Sequence, residues 1–318
     1  MSASKAISSS RTATAAARPR NAGSSSSIDA GAARKAARFS LDGPSVLPDP
    51  RLNAWRRDIA DVALAGTLFA PHYARPLMRA CGMLPAGLYS APSDTSEPVS
   101  QLLPGEGFAV LDITSGWAWG YCLLDHRVGY VEAIELADPR EPTHIVCEAH
   151  APVQTCGDPL STPIAHMPMG ARVHGEVRGA MLQIEGGCIP LSYLRRTDEY
   201  ESDPVAVAQR LLGTPFLRGG RTSHGIDCSG LVQLALQLCG ITCPRDTSDQ
   251  RALGTALPDD ASLARGDLLF CDDHVALMVD DRMAIQVSHE AQKVTVEPFH
   301  CATPQGSDSG IERRRLAT

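Results

Sequence analysis

The sequence predicts an α+β fold in which two small β-barrel units lead into a larger C-terminal domain of helices followed by strands. Three observations carry this. Two successive stretches close on a similar phrase, Gly129-Tyr130-Val131-Glu132-Ala133-Ile134-Glu135-Leu136 and then Gly187-Cys188-Ile189-Pro190-Leu191-Ser192-Tyr193-Leu194. Gly and Pro turns divide each stretch into short runs of strand character, such as 108–111 and 171–177. After the acidic linker 198–203, apolar residues recur at helical spacing, and beyond Gly240 the pattern returns to strands.

Each element follows in order. Residues 1–48 form a basic tail, with seven Lys or Arg against the single acid Asp29 up to residue 40. That composition is read as a disordered tail, with an Arg- and Ser-rich transit peptide as the second reading. Residues 49–84 are a lead-in, and Ile59, Val62, Leu64 and Leu68 suggest a helix over 56–68. The two barrel units take 85–140 and 141–198, opening on related leaders at 98–105 and 163–170; only the first carries Gly116-Trp117. The last domain spans 199–318. Pro204 suits the first turn of a helix, Val205, Ala208, Leu211 and Leu212 give its apolar face, and Gly213 stops it. A second helix is expected over about 228–239, with Leu231, Leu234, Ala235 and Leu238 on one face.

Composition narrows the partners. The 318 residues are 43% hydrophobic and 20% charged, as in a globular protein. A net charge of −7 disfavours a nucleic-acid partner, and the apolar runs are too short to span a membrane. Ten cysteines are scattered without a dense framework, and no apolar leader stands at the N-terminus. The expectation is a reducing, cytoplasmic setting with mostly free, buried thiols. Cys239, Cys243, Cys271 and His274 can be drawn as zinc ligands, but they lack the usual paired spacing, so no metal and no cofactor is expected.

One cysteine stands apart. Asp227 is a good N-cap, which puts Cys228 at the first helical position. Unpaired backbone N–H groups and the helix dipole favour an anion there, so the thiol pKa is expected to fall. A nucleophilic thiol needs a base and a group to orient it. His274, at the start of an apolar strand after a turn at Gly266-Asp267, is the candidate base. Side chains alternate across a sheet, so the loop after Val279 decides which partner shares His274's face. An odd loop offers Gln286 and Ser288, and an even one Val287 and His289.

Residues 204–300 resemble the NlpC/P60 family of papain-like cysteine peptidases. The resemblance lies in Leu212-Gly213-Thr214-Pro215-Phe216, Gly219-Gly220, Asp227-Cys228-Ser229-Gly230-Leu231-Val232, Pro244-Arg245-Asp246, Arg265-Gly266-Asp267-Leu268-Leu269-Phe270 and His274-Val275-Ala276. The two preceding units resemble bacterial SH3-like (SH3b) domains. The resemblance implies Cys228 as nucleophile and His274 as base. The third position follows the His by one hairpin, within a phrase usually like Ile-His-Ala-Ser; Ile285-Gln286-Val287-Ser288 matches it and implies Gln286, with His289 beside it. The family often has Tyr and Trp where this chain has Phe216 and Arg218. Members with SH3b modules resemble γ-D-glutamyl-L-diamino acid endopeptidases, which implies a cell-wall-derived peptide with a free amine. Asp227 and Glu106 are candidate anchors for that amine, and Ser229 and Ser248 candidate hydrogen-bond partners. A papain-like amidase or acyltransferase keeps the same Cys-His pair, and a non-catalytic cell-wall peptide-binding protein is the remaining alternative.

Overall fold

The computed structural model describes residues 47–157, 162–299 and 310–316. The expected basic tail lies outside the described residues up to position 46.

The first β unit is a seven-stranded sheet. Its strand order is 98–102, 86–89, 128–132, 117–122, 107–114, 77–81 and 136–137. Leu88, Leu102, Phe108, Val110 and Val131 are buried at its centre. Leu77–Cys81, within the stretch 49–84 expected to be a lead-in, is a strand that pairs with the 107–114 strand and belongs to this sheet.

No helix forms over 56–68. Only a single 3₁₀ turn, Val62–Leu64, is present, capped by the Asp61 carboxylate on Ala63 N–H. The chain restarts at Asp61 and breaks at Gly66, whose φ of +92° lies outside helical space. Ile59 is instead drawn into a cluster with Ala54, Leu111 and Trp119 on the first unit.

The following stretch forms three small antiparallel sheets of short strands between His144 and Arg196. They enclose Val146, Val153, Met167, Leu182 and Ile189. The two similar closing phrases adopt the same succession of strand, 3₁₀ turn and strand: 128–132, 133–135, 136–137 and 187–190, 191–193, 194–196. Cys156 and Cys188 form a disulfide here, and Cys271 is disulfide-bonded as well. Six other cysteines among the described residues are free and four of them buried, as expected, but the disulfides weaken the thiol argument for a reducing compartment. With Cys271 so engaged, the four-ligand zinc arrangement is lost too.

In the last domain, Asp203 caps the helix Pro204–Gln209 through Val205 N–H, with Pro204 in the first turn. The helix Cys228–Leu238 packs on an antiparallel six-stranded sheet of order 255–256, 312–315, 268–271, 274–278, 283–288 and 293–298. This helix is buried on more than its expected face: every residue from Ser229 to Leu238 except Gln237 is buried. The sheet takes Leu231, Leu234, Ala235 and Leu238 into a shared core. The β units cover the rest of the helix: Gln233 Nε2 donates to Asp125 at 2.8 Å, and Leu234, at the edge of the shared core, is approached by Gly170 so closely that a Cβ there would sit 2.6 Å from it. Among the described residues no helix is long and apolar enough to cross a membrane.

Candidate active site

The site is built from a capped helix start and one β hairpin. Asp227 Oδ1 accepts Gly230 N–H at 2.7 Å, closing the N-cap and fixing Cys228 as the first helical residue. The other oxygen, Oδ2, accepts Gly219 N–H at 2.9 Å and the Arg245 guanidinium at 2.7 Å. Arg245 is only 2% exposed, and it also donates to Ser229 Oγ at 2.8 Å and to Ser100 Oγ of the first β unit at 2.9 Å. The Cys228 helix is therefore held at its cap by an arginine that also bonds a residue of a different unit. Sequence reasoning used Arg245 only as part of a matching phrase and assigned it no role.

The hairpin supplies the imidazole. His274–Met278 pairs with Met283–Ser288 so that Met278 lies opposite Ala284, leaving Val279 to Met283 between them. That interval is odd, which puts Gln286 on His274's face. His274 Nε2 donates to Gln286 Oε1 at 3.0 Å. Gln286 Nε2 in turn donates to Glu297 Oε1 at 2.8 Å, so the amide oxygen is forced toward the imidazole. Glu297 was not singled out from the sequence, and only the pairing of 283–288 with 293–298 brings it behind Gln286. His289 does not take this position; its ring stands 5.1 Å from that of His274, on the cavity side.

Cys228 and His274 line one cavity of about 430 Å³, together with Arg218, Asp273, Ser288 and His289. A second cavity of about 390 Å³ also opens on Cys228 and extends toward the first β unit. Asp227, Ser229 and Ser248 line this second cavity. Ser229 is nearly buried, and its hydroxyl is engaged by Arg245 and Asp227. Ser248 is exposed. Glu106 lies elsewhere, which corrects its expected role as an amine anchor. It is 3% exposed, and both carboxylate oxygens meet the Arg221 guanidinium, at 2.7 and 2.9 Å. A third acceptance, from Leu103 N–H, completes it, so this carboxylate joins the first β unit to the last domain and lines neither cavity that opens on Cys228.

Electrostatics differ from the sequence expectation. Burial, with the Asp227 carboxylate next to it, pushes the Cys228 thiol above 9.0, and hydrogen bonding from Val275 N–H, the Thr247 hydroxyl and Ser229 N–H only partly opposes this. Desolvation of the sulfur outweighs the helix start. Burial likewise holds His274 below 6.5, while the Gln286 hydrogen bond pulls it up. The resting pair is therefore a thiol and a neutral imidazole. With Nε2 carrying the proton toward Gln286, Nδ1 is left as the proton acceptor.

Residues 213–311 match the NlpC/P60 family, and residues 88–136 match the bacterial dipeptidyl-peptidase Sh3 domain, so the chain carries an NlpC/P60 domain behind a domain of that kind. It is 32% identical over 109 residues to gamma-D-glutamyl-L-lysine dipeptidyl-peptidase of Bacillus subtilis (strain 168), an alignment covering 33% of this chain and 36% of that protein. It is 39% identical over 131 residues to peptidoglycan endopeptidase RipB of Mycobacterium tuberculosis, covering 36% of this chain and 53% of that one. The chain thus spans about a third to a half of the length of these relatives. An NlpC/P60 family protein from Bacillus cereus shares the fold with a TM-score of 0.64 at 18% identity, covering 76% of this chain and 99% of that one.

Proposed function

We propose that this protein is a cysteine peptidase that hydrolyses γ-D-glutamyl–diamino acid bonds in cell-wall peptides. The observation that carries the reading is the placement of Cys228, at a helix start, in the same cavity as a His274 whose Nε2 is held by Gln286. The names of the relatives above supply the substrate class.

The chemistry follows from the protonation states. As the Cys228 sulfur attacks the γ-glutamyl carbonyl carbon, His274 Nδ1 takes the thiol proton. The carbonyl π pair moves to oxygen, and the resulting oxyanion sits near the Cys228 backbone N–H, which has no intrahelical partner at that position. Collapse restores the carbonyl and breaks the C–N bond, and the imidazolium returns its proton to the leaving amine. Water, deprotonated by the same imidazole, then displaces the sulfur from the thioester. The free γ-carboxylate leaves and the thiol is restored. Gln286 orients the ring through these steps, but as a neutral acceptor it stabilises the imidazolium less than a carboxylate does. In this reading residues 144–196 act as a second SH3-like module, and the sheet and helix of the last domain are papain-like.

The direct test is release of the diamino acid from L-Ala-γ-D-Glu-diaminopimelate by the purified protein. No release, with Cys228 intact, sinks the peptidase reading.

Gln286→Leu tests the orienting group. Removing the acceptor is expected to lower kcat by about 10²-fold with little change in KM. The lost hydrogen bond raises the His274 pKa in the native protein, so its removal moves the acid limb of the kcat/KM profile further down in pH. An upward move contradicts the assignment.

A further inference from the structure

Four arginines line the cavity that runs from Cys228 toward the first β unit: Arg51, Arg127, Arg218 and Arg245. Three are committed. Arg51 and Arg127 converge on Asp246 Oδ2, at 2.8 and 2.5 Å. Arg245 divides its nitrogens among Ser100, Ser229 and Asp227. Arg218 differs, because its carboxylate partner is Glu97, and the two side chains are 72% and 54% exposed. Ion pairs so open to solvent hold weakly and exchange readily for another carboxylate.

The backbone that carries Arg218 is nonetheless fixed. Gly220 N–H closes a turn onto Leu217 C=O at 2.9 Å. The next residue after Arg218, Gly219, donates to the same Asp227 carboxylate that caps the Cys228 helix. Gly219 has a φ of +74°, and a Cβ there would lie 3.0 Å from the Pro98 carbonyl, so the turn is seated against the first β unit. Arg218 lines both cavities that meet at Cys228. The base of the Arg218 side chain is thus held next to Gly219, which bonds the cap of the Cys228 helix, and its guanidinium can sweep the groove that a peptide must occupy.

A γ-glutamyl bond leaves the α-carboxylate of its glutamyl residue free, three carbons from the scissile carbonyl carbon. We propose that Arg218 exchanges Glu97 for this α-carboxylate and so makes the protein selective for γ-glutamyl peptides whose α-carboxyl is unamidated. The inference rests on the peptidase reading above and names the specificity determinant of that site. The planar guanidinium suits bidentate capture of a carboxylate and loses its charge-assisted bond to an amide.

The test compares L-Ala-γ-D-Glu-L-Lys with L-Ala-γ-D-isoglutaminyl-L-Lys, its α-amide, using the full chain. The wild type is expected to favour the acid about 10-fold or more, chiefly through KM. Arg218→Gln erases the preference by weakening the acid peptide alone, and the rate of Cys228 alkylation stays unchanged. Arg218→Lys retains part of it. Glu97→Gln, by removing the competing carboxylate, lowers KM for the acid peptide. A preference that survives Arg218→Gln, or is absent from the wild type, overturns the proposal. If neither peptide is cleaved, the peptidase reading falls, but calorimetric binding of the two peptides to Cys228→Ala protein still decides the role of Arg218: equal affinities reject it, and tighter binding of the acid that Arg218→Gln abolishes sustains it.

Discussion

Replacing Cys228 with serine is expected to lower kcat on a γ-glutamyl peptide by about 10⁴-fold or more, with the fold unchanged. The hydroxyl nearly matches the thiol in volume, and Cys228 is half-buried at the cavity wall, so packing is little disturbed. The chemistry is not. His274 is held below 6.5 by burial, which makes it a modest base, sufficient for a thiol but poorly matched to a hydroxyl. In the proposed mechanism activity requires neutral His274, and a lowered pKa keeps it neutral to lower pH, so the acid limb of wild-type kcat/KM is expected below pH 6.5. The thiol adds a second signature. Because the Cys228 pKa is raised, its alkylation by iodoacetamide is expected to keep climbing above pH 9. A plateau near neutral pH shows instead that the helix start prevails over burial and that the resting pair is ionised.

Glu106→Ala is expected to destabilise the protein by about 3–5 kcal/mol, read from chemical denaturation. Arg221 is 1% exposed and Glu106 3%, so removing the carboxylate strands a buried guanidinium. Arg221 keeps Gln101 O and Gln237 Oε1 as neutral acceptors, which cannot replace the lost charge. Converting both residues to methionine is expected to recover much of the loss, since a well-packed apolar pair avoids the desolvation of two charges. Were Glu106 an anchor for the substrate amine, Glu106→Gln would raise KM with stability unchanged. The buried pairing predicts the reverse, a loss of stability with little change in KM for the protein that remains folded.

These two residues mark what is legible in the sequence. Cys228 was readable because everything that places it is local: an Asp that caps, apolar residues at helical spacing after it, and a glycine that stops the helix. Its neighbours in the chain also carry the family resemblance. Glu106 was misread because a carboxylate after a Pro-Gly turn looks exposed, and its partner lies 115 positions away. The expected helix over 56–68 failed for a related reason. Its apolar spacing was real, but Asp61 and Gly66 interrupt it, and Ile59 is claimed by the first β unit instead.

The sequence by itself determined the capped helix, the thiol at its start, the imidazole on the following hairpin and the succession of short strands before them, since each depends on residues within a few positions of one another. Only the tertiary structure decided the rest. Strand register, set by a hairpin whose length the residues do not announce, placed Gln286 on His274 and brought Glu297 behind it. Packing of the β units against the helix made Arg245 and Arg221 interior residues and left Arg218 as the loosely paired cation of the groove. Burial also reversed the expected direction of the Cys228 pKa, because the desolvation of a thiolate depends on what the rest of the chain folds over it, and outweighs the few N–H groups its own helix can offer.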